Sequence, residues 1–322
     1  MISLYKEKSA VAVFWLIIIC FALHVNVLVD APPIIASPLD GFLYYFVHSL
    51  VNARPYLVSL LYVLIIFLLA LQISFVLNIL RMYQKQSYTA ALAFLLFTAL
   101  IPQFNVVGPA LFACNLFIWI LYSACRLYAS PQPKTSIYNF GLLTGLCVVL
   151  YYPSVPLIVI TLLALAIIRP FHLNEWFVLF FGMITPVYFV ATYFFLAGRL
   201  HELPTLQQVF RLIRLPVPQL MVIVSLAVAA LATLWGILSV QGAGTNVLIQ
   251  VRKSWSVFLV SLLFFVPVIF FVTGAYPGVL LLMAIPAACY TGFAFAGSRN
   301  ILPVIFFWVL TGLSVYNNWF AK

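Results

Sequence analysis

The sequence predicts an all-α, polytopic transmembrane helix bundle, and three observations carry that prediction. First, 66% of the 322 residues are hydrophobic and 6% are charged, where a soluble domain holds roughly 45–50% and about 25%. Second, apolar runs long enough to enter or cross a bilayer follow one another with almost no charge inside them. Third, no connecting segment exceeds about 25 residues, too short for a soluble domain. A water-soluble core of this length cannot bury so much apolar surface. Residues 1–322 therefore read as a single integral membrane domain.

A helix needs about 20 residues to cross roughly 30 Å of hydrocarbon. About 11 spans are expected on that basis, near 10–29, 56–80, 88–102, 107–126, 137–152, 153–169, 176–197, 219–240, 255–273, 277–296 and 300–318. The first follows Lys6 and Lys8, as a signal peptide would. Its apolar run of about 19 residues is longer than such a segment carries, and no small-residue cleavage site follows, so it reads as a retained anchor. Residues 88–102 are short for a full crossing. Pro153 and Pro156 either kink one long helix or separate two short ones.

The net charge of +10 is spread singly or in pairs between apolar runs, which suits orientation of helices and not nucleic-acid binding. With the N-terminus in the cytoplasm, cytoplasmic connections carry Arg81 and Lys85, Arg126 and Lys134, Arg169, Arg252 and Lys253, and Arg299. The C-terminus then falls on the opposite, non-cytoplasmic side. One outer loop breaks the pattern: 198–218 carries Arg199, Arg211 and Arg214. No internal repeat is visible, which weighs against inverted-repeat transporters. Cys20, Cys114, Cys125, Cys147 and Cys289 lie within or beside apolar runs without CxxC spacing, and are expected to pack rather than to bind metal or form disulfides.

The first outer loop, 30–55, predicts a juxtamembrane helix. Ser37 suits an N-cap, Pro38 the first helical position, and Asp40 the reciprocal capping position. Leu39, Phe42, Leu43, Phe46, Val47 and Leu50 then form an apolar stripe to about Val51, while Asp40, Tyr44, His48 and Asn52 share another face. Asp30 and Asp40 are the only aspartates. Either could serve as a general base or hold a divalent ion; equally, Asp40 completes a cap and Asp30 marks a helix end.

A second juxtamembrane helix is expected in 198–218, between Pro204 and Pro216. Leu206, Phe210 and Ile213 share one face, and Gln207, Arg211 and Arg214 the other. Paired guanidinium groups suit a lipid-linked phosphate; simple attraction to anionic head groups is the plainer account of them. The turn 169–176 reads as fixing topology, with Glu175 at a helix start. His24 inside the first span is a functional group or a hydrogen bond to a neighbouring helix. Gln72, Asn78, Gln103, Asn105, Asn115 and Asn139 could line a cavity or join helices. Gly242 and Gly244 lack the ending of a phosphate loop, and no HExxH or GxSxG motif is present.

The stretch Pro38-Leu39-Asp40-Gly41-Phe42-Leu43-Tyr44-Tyr45, followed by Asn52-Ala53-Arg54-Pro55, resembles the first outer loop of the GT-C glycosyltransferase superfamily. The run from Gly141 to Arg169-Pro170 is similar to a mid-chain segment of that group. The turn 169–176 also resembles that of a family of polytopic inner-membrane proteins from Bacteroidota. The GT-C likeness implies juxtamembrane helices in the first and fourth outer loops. It also implies transfer from a polyprenyl-phosphate-linked substrate at the outer face. Asp40 or Asp30 would then be catalytic, and Arg211, Arg214, His48 and Tyr44 would bind phosphate. The likeness leaves open a divalent metal, although the residues offer no ligand cluster; no other cofactor is expected. Many GT-C enzymes follow the aspartate with glutamate, where this chain has Gly41. A non-catalytic scaffold or assembly factor of an envelope complex is the alternative reading, and a transporter or flippase the third. The bilayer is the one partner read directly.

Overall fold

The computed structural model describes residues 2–35, 37, 40–50, 54–130, 132–198, 220–243, 248–271, 276–297 and 301–319. These residues form thirteen α-helices and no strand. In order they are α1 (Ala10–Leu23), α2 (Val25–Val29), α3 (Leu43–Ser49), α4 (Pro55–Ile79), α5 (Thr89–Ala99), α6 (Pro109–Arg126), α7 (Pro133–Leu150), α8 (Leu157–Ile168), α9 (Leu173–Leu196), α10 (Leu220–Ala243), α11 (Ile249–Val268), α12 (Tyr276–Gly297) and α13 (Leu302–Trp319). Six are long and apolar enough to cross a membrane: α4, α6, α9, α10, α11 and α12. Exposed Phe, Leu and Ile side chains, such as Phe181, Leu238 and Ile184, cover their outer faces, as lipid-facing surfaces require. The chain is a multi-pass integral membrane protein.

Local sequence sets most helix ends. Ser9 caps α1 by accepting the Ala12 N–H at 3.1 Å. Prolines open α4, α6 and α7 at the position where a missing N–H costs nothing. Pro153 sits in a single turn of 3-10 helix, Tyr152–Ser154, that separates α7 from α8. α11 begins earlier than its hydropathy indicates, so Arg252 and Lys253 lie within it, near its start. Lys253 extends from there to donate to the Ile168 carbonyl at 2.9 Å.

α5 has 11 residues, all buried, and at 1.5 Å per residue it is too short to cross alone. The carbonyls at its end are satisfied by α13. Asn318 donates to Ala99 O at 2.7 Å, Asn317 to Leu100 O at 2.9 Å, and Ser314 to Ala99 O at 2.8 Å. Irregular backbone at membrane depth survives when protein encloses it in this way.

α7 and α9 approach most closely through glycine. A Cβ on Gly141 would stand 2.4 Å from Leu179 O, one on Gly145 2.2 Å from Met183 O, and one on Gly182 2.4 Å from Tyr138 O. Gly141 and Gly145 form the small-xxx-small spacing that lets backbones touch.

The helices give the bundle two chemically distinct ends. At one, Tyr88 N–H donates to Tyr5 O at 2.9 Å, Arg169 reaches Leu127 O at 3.1 Å, and the Tyr83 and Trp255 rings stack 6.3 Å apart. Arg81, Arg126, Arg169, Arg252 and Lys253 gather there. At the other, Asn26 and Asn105 both donate to Asn318 Oδ1 at 2.9 Å, and the first loop packs on the 102–109 turn and the end of α7. The first and last described segments therefore lie at opposite ends.

Candidate ligand cavity at the aspartate end

Two backbone clamps hold the first loop. The first joins residues 33–35 to Val107: Val107 N–H donates to Pro33 O, and Ile35 N–H to Val107 O, each at 3.1 Å. The second joins Phe42 N–H to Val149 O at 3.1 Å. Gly41 makes the second clamp possible. Its φ is +101°, and a Cβ there would stand 2.7 Å from Leu150 O. A larger side chain at 41, glutamate included, has no room. The same glycine interrupts the helix expected from Ser37, so α3 begins only at Leu43.

Asp40 hangs between the clamps. Its Oδ2 accepts the Ser37 N–H at 2.8 Å, and its own N–H donates to Ser37 O at 2.8 Å. This is the reciprocal half of a capping box, with no continuous helix behind it. Burial raises its pKa above the usual 3.8, and the Ser37 bond opposes that in part.

Asp40 lines a cavity of about 310 Å³ with Gln103, Tyr151 and the apolar residues Phe104, Leu111 and Leu281. The first turn of α6 contributes Pro109 and Ala110, so the positive end of that helix lies at the cavity. Tyr151 is 1% exposed, and its hydroxyl has no hydrogen-bond partner among the described residues. A Cβ at position 278 would stand 2.4 Å from that oxygen, so Gly278 leaves room for the phenol. Asp40 and Gln103 thus line one mostly apolar space, with Tyr151 in its wall and the tyrosine hydroxyl buried and unpartnered; polar groups in an apolar cavity are the usual make-up of a small-molecule site.

The other expected site residues lie elsewhere. Asp30 is exposed at the end of α2 and does not line this cavity. The Tyr44 and His48 rings on α3 pack against each other, tilted, with centroids 5.3 Å apart, outside the lining. Arg211 and Arg214, with the second expected juxtamembrane helix, lie outside the described residues. Gln103 is in the cavity. Asn105 and Asn78 are buried and bonded within the bundle, and Gln72 pairs with Asn115 at 2.9 Å. Tyr151 carried no signal in the sequence, because it looks like one more aromatic at a span end. Asn317 and Asn318 were equally silent.

His24 is fully buried; its Nδ1 lies 3.0 Å from Cys20 O and its Nε2 3.4 Å from Thr98 Oγ1. It joins α1 to α5. Arg169 makes a bidentate pair with Glu175, Nε to Oε2 and Nη2 to Oε1, both at 2.9 Å, and so ties the α8–α9 turn down. All five cysteines are free and buried. Among the described residues no three His, Cys, Asp or Glu side chains converge as a metal site would need. The chain matches no family model, no curated protein and no solved structure.

Proposed function

We propose that this membrane protein handles a lipid-linked phosphate substrate at its aspartate end, with Asp40 as the general base of a GT-C-type glycosyl transfer. The observation that supports this reading is the cavity lined by Asp40, Gln103 and Tyr151, the last with a buried and unpartnered hydroxyl. In this scheme the acceptor hydroxyl gives its proton to Asp40. Its oxygen forms the new bond to the anomeric carbon, and the carbon–oxygen bond to the phosphate breaks. The phosphate leaves with the electron pair, toward Arg211 and Arg214. A carboxylate whose proton affinity burial has raised is a better base than one in water. The tyrosine hydroxyl and Gln103 would orient the acceptor. The aspartate end would face the periplasm and the basic end the cytoplasm, following the positive-inside rule.

The test is glycan or lipid-linked product in cells carrying variants. D40N should abolish transfer. Y151F should lower transfer without lowering Tm, because it removes a buried hydroxyl that has no partner in the fold. Unchanged products in both variants would end this reading.

The Ser37–Asp40 bond favours a second reading, a non-catalytic scaffold in which Asp40 only shapes the loop. There D40N costs stability and Y151F costs nothing, and a pull-down returns stoichiometric partners. A transport reading finds less support: among the described residues, the least exposed carboxylate is Glu175, already paired with Arg169.

A further inference from the structure

A cavity of about 600 Å³ lies at the opposite end from Asp40, between the turn after α4, α10, α11 and α12. Its walls are apolar, including Ile237, Val240, Leu259 and Phe293. Its aromatic floor is saturated: Tyr83 donates to Cys289 O at 2.7 Å, and Tyr290 to Trp255 O at 2.6 Å. The polar groups left over are Arg81, Arg252, Gln84 and Gln241. None of these four side chains makes a hydrogen bond or ion pair among the described residues, and no carboxylate is in the lining. The space is thus an oily slot with two guanidinium groups at its rim.

Arg81 is there against backbone preference. It is the residue after the C-cap of α4, where Met82 N–H donates to Leu77 O at 3.1 Å and Arg81 N–H to Asn78 O at 3.3 Å. Those two bonds define a Schellman motif, which calls for a left-handed residue, usually glycine. Arg81 has φ +52°, the one non-glycine with positive φ among the described residues. A β-carbon in that region is strained. Strain kept where a better residue exists points to work done by the side chain.

We propose that this slot binds an amphiphile whose phosphate is gripped by Arg81 and Arg252 and whose chain lies along the apolar wall. Guanidinium groups take phosphate bidentately, and basic pockets between membrane helices suit anionic lipid head groups. The site is independent of Asp40 and of the transfer reaction above. Membrane phospholipid and a polyprenyl phosphate share the chemistry it recognises.

The experiment loads the delipidated full chain in detergent with phosphatidylglycerol, a polyprenyl phosphate, phosphatidylcholine or inorganic phosphate, and reads retained ligand by native mass spectrometry. Wild type should retain at least one of the two anionic amphiphiles, which identifies the source, and prefer it to phosphatidylcholine. R81G and R252Q should each weaken that binding by roughly fivefold or more, from about 1 kcal/mol per basic residue. R81G should keep or raise Tm, since glycine relieves the strain. Any of three binding results would overturn the proposal: equal retention of phosphatidylcholine, wild-type affinity in both variants, or inorganic phosphate binding as tightly as the amphiphiles. A fall in Tm for R81G would remove the strain argument and overturn it as well.

Discussion

Asp40 shows how one residue is tuned by its address. Burial raises its pKa above 3.8, so the folded chain holds that proton more tightly than the unfolded chain does. Its contribution therefore favours folding at low pH, and is lost as pH rises from the unfolded value through the folded one. Melting wild type and D40N across pH 4 to 7 should show wild type gaining on the variant as pH falls; a constant difference would mean that burial does not act on this carboxylate. Gly41 beside it is as constrained. Gly41→Ala must place a Cβ against Leu150 O in a left-handed backbone, and should cost about 1–3 kcal/mol in thermal or denaturant unfolding.

At the scale of elements, helix contacts rest on small residues and amides, not on the hydrophobic effect, which is absent between helices in lipid. Gly145→Leu or Gly182→Leu should separate α7 from α9 and lower the yield of folded protein or its Tm. Gly312 on α13 meets nothing within 4 Å, so Gly312→Ala should be tolerated and gain up to about 1 kcal/mol of helix propensity. Asn318 joins α2, α5, α13 and the 102–106 turn through four hydrogen bonds. Asn318→Leu strands the Asn26 and Asn105 amides and should cost about 1–3 kcal/mol, read by thermal melting in detergent. A loss below that range would mean that other groups satisfy those amides.

For the whole molecule, separation of charge between the two ends is the property with cellular consequences. Buried cysteines leave a quiet background for labelling. Lys85 and Arg54 are both exposed, at the basic and aspartate ends respectively. A membrane-impermeant maleimide should label Arg54→Cys in intact cells and reach Lys85→Cys only after lysis. The reverse pattern would invert the molecule and take the Asp40 cavity away from any periplasmic substrate.

Composition alone determined that the chain lives in lipid and is helical, because 66% apolar residues admit no other solvent and helices satisfy their own backbone there. Prolines and Ser9 marked helix starts because capping is a local matter. The tertiary structure decided which groups share a space. Asp40 and Tyr151 are more than a hundred residues apart in sequence, as are Arg81 and Arg252, and Gly278 sits beside Tyr151 only after folding. Local periodicity carries no record of such meetings. They depend on backbone approaches at Gly41, Gly145 and Gly182, and those approaches exist only once a second helix arrives.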